Sequence, residues 1–297
     1  MSTSLRTHTS QGRVMALAHA LRSRQWVKNL LVLAAPVLSG ELFDSDVLRG
    51  TAVAFVVFCL ASSGIYLVND VLDLEADRSH PKKRNRPIAA GLVPPPLAIG
   101  TAVVLLTCAL AGSFLATPEL ALVVGCYVVL QLLYCFFLKD QRVVDIAVIA
   151  SGFLLRAIAG GAATGIVLSQ WFLMAAGFGA LFMASGKRYA EAKMEGDLVA
   201  MRASLAGYTQ TYLRFVWTMS ATMLMVTYGL WAFEMRASTD SVMPVLSMAP
   251  FVLAVLRYAL HVDAGEADAP EVIAWHDRVL QVLALIWFLT LAWSLWL

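Results

Sequence analysis

The chain has 297 residues, of which 60% are hydrophobic and 14% charged, whereas soluble domains run at about 45–50% apolar and about 25% charged. The formal net charge of +2 gives no footprint for nucleic acid, so that class of partner is excluded. Cys59, Cys108, Cys126 and Cys135 form no C-x-x-C pair and the histidines no H-x-x-x-H pair; the cysteines read as small buried hydrophobes, and zinc is disfavoured.

Residues 1–25 are polar and basic and read as a cytoplasmic N-terminal tail without a cleaved signal peptide. Residues 26–297 read as one membrane-embedded catalytic domain. A span needs about 20 mainly apolar residues, and nine candidates follow: Trp26–Phe43, Gly50–Val71, Leu97–Ala116, Leu120–Leu138, Val143–Ile166, Trp171–Gly186, Tyr212–Phe233, Met243–His261 and Val279–Leu297. The first is interrupted by Pro36 and Gly40, and the sixth is short. Only helices or closed barrels satisfy backbone groups in lipid, and these runs are too long and unalternating for barrel strands. The expected fold is all-α, a polytopic transmembrane helical bundle of about nine spans.

Basic residues orient it. The tail and the even-to-odd connections, counted with the bordering span residues Lys28, Arg214 and Arg257, hold nineteen of the 22 Lys and Arg, while the opposite connections hold Arg49 and Arg236, and Arg156 falls deep inside a span. The protein is therefore expected in the cell membrane with its N-terminus and long loops cytoplasmic and its C-terminus outside. The connections near 72–96 and 187–211 lie on one side, which is where chemistry is expected. The acidic stretch Asp263 to Glu271 reads as a solvated connection.

The strongest local signal begins within an apolar run. Tyr66, Asp70, Asp73 and Asp77 stand at i, i+4, i+7 and i+11, on one face of a helix, with Asn69 beside them. Stacked carboxylates repel at a membrane edge unless a cation joins them. Mg²⁺ is the natural partner, because it accepts a few carboxylates and completes its shell with substrate phosphates. Asp70, Asp73 and Asp77 are thus the candidate metal ligands. The following run, His80-Pro-Lys82-Lys83-Arg84-Asn-Arg86-Pro87, adds bases for phosphate oxygens, with Lys83 and Arg86 the leading candidates. His80 reads as structural.

The run N-D-x-x-D-x-x-x-D from Asn69 to Asp77, followed by bases, R-P and Gly91, resembles the first motif of the UbiA prenyltransferase superfamily. That family holds a Mg²⁺-bound diphosphate between two acidic motifs, the second after the sixth span. The second region here departs from the usual D-x-x-x-D: it reads Gly186-Lys187-Arg188-Tyr189-Ala-Glu191-Ala-Lys-Met-Glu195. With Arg22-Ser-Arg24-Gln25-Trp26-Val-Lys28-Asn29, Leu155-Arg156 and Tyr212-Leu-Arg214, it is similar to the branch of that family serving cell-wall arabinan synthesis.

The resemblance implies a Mg²⁺-dependent enzyme that moves 5-phosphoribose from phosphoribosyl diphosphate to polyprenyl (decaprenyl) phosphate. In that reaction Asp73, Asp77, Lys187 and Arg188 would be catalytic. Lys28, Asn69, Tyr66, Lys83, Arg86, Arg156, Tyr189 and Glu191 would bind substrate. Arg156, the one intramembrane base, is expected to face a cavity or to pair with Asp145 or a backbone carbonyl; for Tyr189, packing is the alternative. Glu195 and Asp197 read as solvated. The competing reading is a UbiA-type prenyltransferase with prenyl diphosphate as donor and an aromatic acceptor. Lipid length, a homo-oligomeric state and Mg²⁺ against Mn²⁺ stay open at this level.

Overall fold

The computed structural model describes residues 14–194, 208–267 and 270–296. Among them there is no strand. A short helix at 14–20 leads into a 3-10 run, Ser23–Leu33, and a turn of α-helix, Ala34–Leu38. The long helices follow as α1 (Ser45–Leu72), α2 (Leu74–Ser79), α3 (Pro95–Ala116), α4 (Pro118–Leu133), α5 (Val144–Thr164), α6 (Gln170–Met194), α7 (Gln210–Thr239), α8 (Met243–Leu246), α9 (Met248–Ala264), α10 (Pro270–His276) and α11 (Arg278–Trp296). Among the described residues seven segments are long and apolar enough to cross a membrane: α1, α3, α4 with its π turn to Leu138, α5, α7, α8 with α9, and α11.

The other two expected spans take different forms. The first is split, with only its middle α-helical. The sixth is a full helix, but it runs on past Gly186 to Met194, so the Lys187–Glu191 motif sits on the last turns of α6 rather than in a loop. Glu195 and Asp197 lie outside the described residues.

Local sequence explains the helix ends. The Asp44 carboxylate caps α1 by accepting the Asp46 and Val47 N–H groups at 2.8 and 3.1 Å. Proline occupies the first turn of α3 and α4, where its missing N–H costs nothing. Thr117 and Thr209 cap α4 and α7 through their hydroxyls. Gly265 ends α9 at φ +88°, where a side chain would be strained.

The chain divides into two compact units, and α5 contributes to both. Unit 1 comprises residues up to 36, 43–138 and 159–166. In it α1 packs against α3, α4 and the 3-10 run. Its core joins Leu67 and Val68 of α1 to Ile88, Val93, Ala98 and Ala102. The 3-10 run far exceeds the usual three or four residues, and side chains tie it to α1. Trp26 Nε1 donates to Ser63 Oγ at 3.0 Å, and the buried Asn29 amide donates to Cys59 Sγ and Ser62 Oγ, both at 3.3 Å.

Unit 2 comprises 37–42, 139–158 and 167 onward. Here α6 packs along α7, and α9 packs on α6, α7 and α11. Its core is aromatic, with Phe182, Tyr189, Trp217, Tyr228, Trp231 and Tyr258 all buried. Large apolar side chains remain exposed on α3, α7 and α11. On a membrane protein these are lipid-facing surface, since lipid is as apolar as leucine.

One close approach in unit 1 depends on glycine. A Cβ on Gly160 of α5 would stand 2.0 Å from the Val32 carbonyl oxygen of the 3-10 run, whereas at Gly100 of α3 nothing lies within 4 Å. Gly160→Ala should therefore destabilise by about 1–3 kcal/mol, the usual cost of overpacking. Gly100→Ala should hold or raise stability, and thermal unfolding of both variants in detergent checks the contrast.

Candidate active site

In unit 1 the acidic motif is bent. α1 ends at Leu72, and Asp73 sits between it and α2 at φ −90°, ψ 8°. Hydrogen bonds carry across the bend, Asp73 N to Asn69 O at 2.9 Å and Asp77 N to Asp73 O at 2.8 Å. Asp70 and Asp77, each 2% exposed, converge on one guanidinium: Arg86 Nη1 lies 3.2 Å from Asp70 Oδ1 and 2.6 Å from Asp77 Oδ2. Arg22 makes a second ion pair with Asp70 Oδ1, and its guanidinium lies 4.9 Å from the centre of the Tyr66 ring. Asp73 turns aside and accepts the Asn69 amide at 3.0 Å. Two buried acids are thus matched by two arginines, as burial of charge demands.

The chain returns Arg86 to the acids through a tight turn. The His80 Nδ1 atom accepts the Lys82 and Lys83 N–H groups at 3.2 and 3.3 Å. Burial, followed by the Lys83 charge, lowers the His80 pKa, so the ring stays a neutral acceptor near pH 7. The 3-10 turn Lys83–Asn85 follows, and Ile88 and Val93 anchor the far side in the core. Arg78 Nε reaches the Ala89 carbonyl at 3.3 Å.

Unit 2 holds a second buried charge cluster. Arg188 of α6 is 3% exposed and Asp145 of α5 is fully buried. Arg188 Nε lies 3.3 Å from Asp145 Oδ2, and its Nη1 donates to Glu191 Oε2 at 2.7 Å. The Tyr208 hydroxyl donates to Asp145 Oδ1 at 2.7 Å and accepts the Val143 N–H. Burial, and then the bond to Asp145, push the Tyr208 pKa well up. Tyr189 is in the aromatic core at 1% exposure, and its hydroxyl accepts from Arg214 Nη2 at 2.8 Å. Arg214 in turn pairs with Asp263 at 3.1 Å.

The profile of the UbiA prenyltransferase family matches residues 30–289. The chain belongs to the UbiA prenyltransferase family. It is 55% identical over 295 residues to the decaprenyl-phosphate phosphoribosyltransferase of Mycobacterium tuberculosis, covering 98% of this chain and 97% of that one. It is 54% identical over 275 residues to the Corynebacterium glutamicum protein of the same name, covering 90% and 83%. Among solved structures it is similar to a UbiA homolog from Archaeoglobus fulgidus bound to GPP and Mg²⁺, with TM-score 0.72, 15% identity, and 94% and 98% of the two chains covered. That likeness shows the UbiA fold.

Against this UbiA frame, several residues sit differently from the sequence expectation. The acids do not form one stacked face of three, because the break at Asp73 separates it from the Asp70–Asp77 pair. Among the described residues no three His, Cys, Asp or Glu side chains converge on a metal point. Asp145, one partner weighed for Arg156, is taken by Arg188 and Tyr208, and Arg156 meets the other, a backbone carbonyl. It is buried, donates to the Gly152 carbonyl at 2.5 Å and lies 5.6 Å from the Phe153 ring centre. Tyr189 packs rather than facing a pocket, and Glu191 and Arg188 hold each other. Asp263, read as part of a solvated connection, belongs to α9, and its carbonyl accepts Lys193 Nζ at 2.6 Å. Lys187 is exposed, and Lys28 and Lys83 are half-buried. In the sequence Arg22 stands only as part of the basic segment that carries the family resemblance, not as a partner of Asp70, and Tyr208 carries no signal.

Arg86 ties two buried acids, whereas Arg49 pairs with Asp46 at 2.9 Å with both side chains more than three-quarters exposed. Arg86→Ala is expected to cost about 3 kcal/mol, the low end for breaking a buried pair because Arg86 is itself a quarter exposed. Arg49→Ala should cost under about 1 kcal/mol. Chemical unfolding in Mg²⁺-free detergent distinguishes the two; equal effects would mean that the Arg86 cluster is screened by solvent.

Proposed function

We propose that this chain transfers 5-phosphoribose from phosphoribosyl diphosphate to decaprenyl phosphate, supplying a precursor for cell-wall arabinan. The observation that carries this reading is the 52–55% identity to relatives named decaprenyl-phosphate phosphoribosyltransferase. The protein is a multi-pass membrane enzyme, and the distribution of Lys and Arg supports a cytoplasmic site with the C-terminus outside.

The chemistry is a substitution at the ribose anomeric carbon. Its bond to the diphosphate oxygen breaks, a bond to an oxygen of the lipid phosphate forms, and diphosphate leaves. A phosphate monoester has its second pKa at about 6, so the acceptor is largely dianionic at neutral pH and needs no general base. The work left to the protein is positioning and charge stabilisation.

Mg²⁺ is supported by the donor set on this chain. Asp70 Oδ2 is buried with no hydrogen-bond partner, and the Asp77 carboxylate lies on the same guanidinium. These residues fit an ion that takes few protein carboxylates and keeps sites for phosphate oxygens, rather than a closed protein cage. Asp70 and Asp77, with Asp73 one turn away, would hold the ion. It would supply a Lewis acid that neutralises charge on the leaving diphosphate. Arg86, held on the acids, and Lys83 of the following turn bind diphosphate oxygens, with Lys28, Asn69 and Tyr66 completing the donor surface. In unit 2, Arg188, with Lys187 and Glu191, and Arg156 are the groups suited to phosphate and ribose. Tyr189 contributes through Arg214 rather than by touching substrate.

Purified protein given decaprenyl phosphate, Mg²⁺ and phosphoribosyl diphosphate labelled in ribose should move label into the lipid phase, and EDTA should abolish transfer. Asp77→Ala should lower turnover at least about a hundredfold. Diphosphate with Mg²⁺ should raise the melting temperature of the wild type but not of Asp77→Ala. No label in lipid, with prenyl diphosphate consumed beside an aromatic acceptor, would move the chain to the prenyltransferase reading.

A further inference from the structure

We propose that Asp145 is a positioning residue for Arg188, and that the Tyr208 hydroxyl holds Asp145 in that role. The inference rests on the reading of Arg188 as a ligand of the phosphoribosyl donor.

An arginine side chain is long, and its planar fork is useful only when its plane is fixed. At Arg188 one edge of the fork is hydrogen-bonded and a second is in ion-pair contact without a hydrogen bond. Asp145 Oδ2 faces Nε at 3.3 Å, and Glu191 Oε2 accepts from Nη1 at 2.7 Å. Glu191 lies one turn along the same helix and leaves the guanidinium free to swing about the α6 axis. Asp145 comes from a different helix, and its contact ties the guanidinium to a second element.

Asp145 is itself over-determined. It stands in the first turn of α5, where the helix dipole favours a carboxylate. Its N–H donates to the Gln141 carbonyl at 3.0 Å. Its Oδ1 accepts the Tyr208 hydroxyl at 2.7 Å, and that hydroxyl accepts the Val143 N–H. With its pKa pushed up by burial, the Tyr208 hydroxyl keeps its proton throughout any practical assay range. Val143 adopts φ +69°, a left-handed conformation that a β-branched residue rarely takes. Strain of this kind persists where the surroundings impose it, commonly beside functional groups. The result is a chain of contacts running from the Val143 amide through Tyr208 and Asp145 to Arg188.

Stability alone does not account for this arrangement. A buried ion pair is a weak source of stability, because desolvation offsets most of its attraction. What such a pair does supply is a fixed geometry, and electrostatic catalysis depends on charge already in place before the reaction.

A double-mutant cycle in the full-length protein tests the proposal, with donor and acceptor kinetics measured for Asp145→Asn, Arg188→Lys and the pair. Asp145→Asn should lower kcat/KM for phosphoribosyl diphosphate about tenfold while the KM for decaprenyl phosphate stays unchanged. In the Arg188→Lys background the same change should cost less than about twofold, because the partner it positions is gone. Tyr208→Phe removes one hydroxyl and should lower the same donor parameter about threefold, with a small drop in melting temperature from the buried oxygen left without its donor. If Asp145→Asn does not fold, the cycle is run with Tyr208→Phe and Arg188→Lys. Losses that multiply across the cycle, or wild-type kinetics for Tyr208→Phe and Asp145→Asn, would overturn the proposal. Wild-type turnover by Arg188→Lys alone would overturn the donor role of Arg188 and this inference with it, while leaving phosphoribosyl transfer by the chain intact.

Discussion

A carboxylate taken out of water at the edge of a membrane must have its counter-charge built into the fold, and the clusters around Asp70–Asp77 and around Asp145 follow from that constraint. In unit 1, Asp70 and Asp77 are almost wholly buried and share Arg86, with Arg22 added on Asp70. That sharing requires the bend at Asp73, which moves Asp77 onto α2. It also requires the return turn, in which His80 organises the backbone of Lys82 and Lys83, and the anchoring of Ile88 and Val93, which hold the far side of Arg86. Remove the need to pair the acids, and none of these local features has a reason.

Unit 2 meets the same constraint with different parts. Arg188 lies between Asp145 and Glu191, and Tyr208 takes the remaining carboxylate oxygen of Asp145. An arginine pre-placed by carboxylates suits an enzyme whose substrates are anionic. The cation is desolvated and oriented in advance, so an incoming anion would meet a fixed fork rather than a flexible side chain. Asp70 adds a buried oxygen with no hydrogen-bond partner, the kind of group that a hard cation would satisfy.

Much of the protein was legible from the residues in order. The helical membrane architecture follows from apolar runs that no water could solvate; Asp70, Asp73 and Asp77 were singled out by their spacing, and Arg86 as one of the bases that follow them. Other residues were opaque for physical reasons. Arg22 is separated from Asp70 by 48 positions, and a basic residue before a first span looks like any positive-inside charge. Asp145 was weighed against Arg156, eleven residues along the same helix, because sequence offers only neighbours as partners. Its true partners, Arg188 and Tyr208, come from other elements. Tyr189 looked like a ligand because it lies inside a charged motif, yet α6 turns it into the aromatic core while Lys187 faces outward.

Periodicity and composition determined by themselves that this chain is a helical membrane protein, that its acids begin inside a span, and that its second motif is basic. These are properties of single segments, set by the free energy of placing each side chain in lipid or water. Only the tertiary structure decided which charge neutralises which. Pairing depends on where separate helices bring their ends, and on a bend of one residue at Asp73 that no propensity announces.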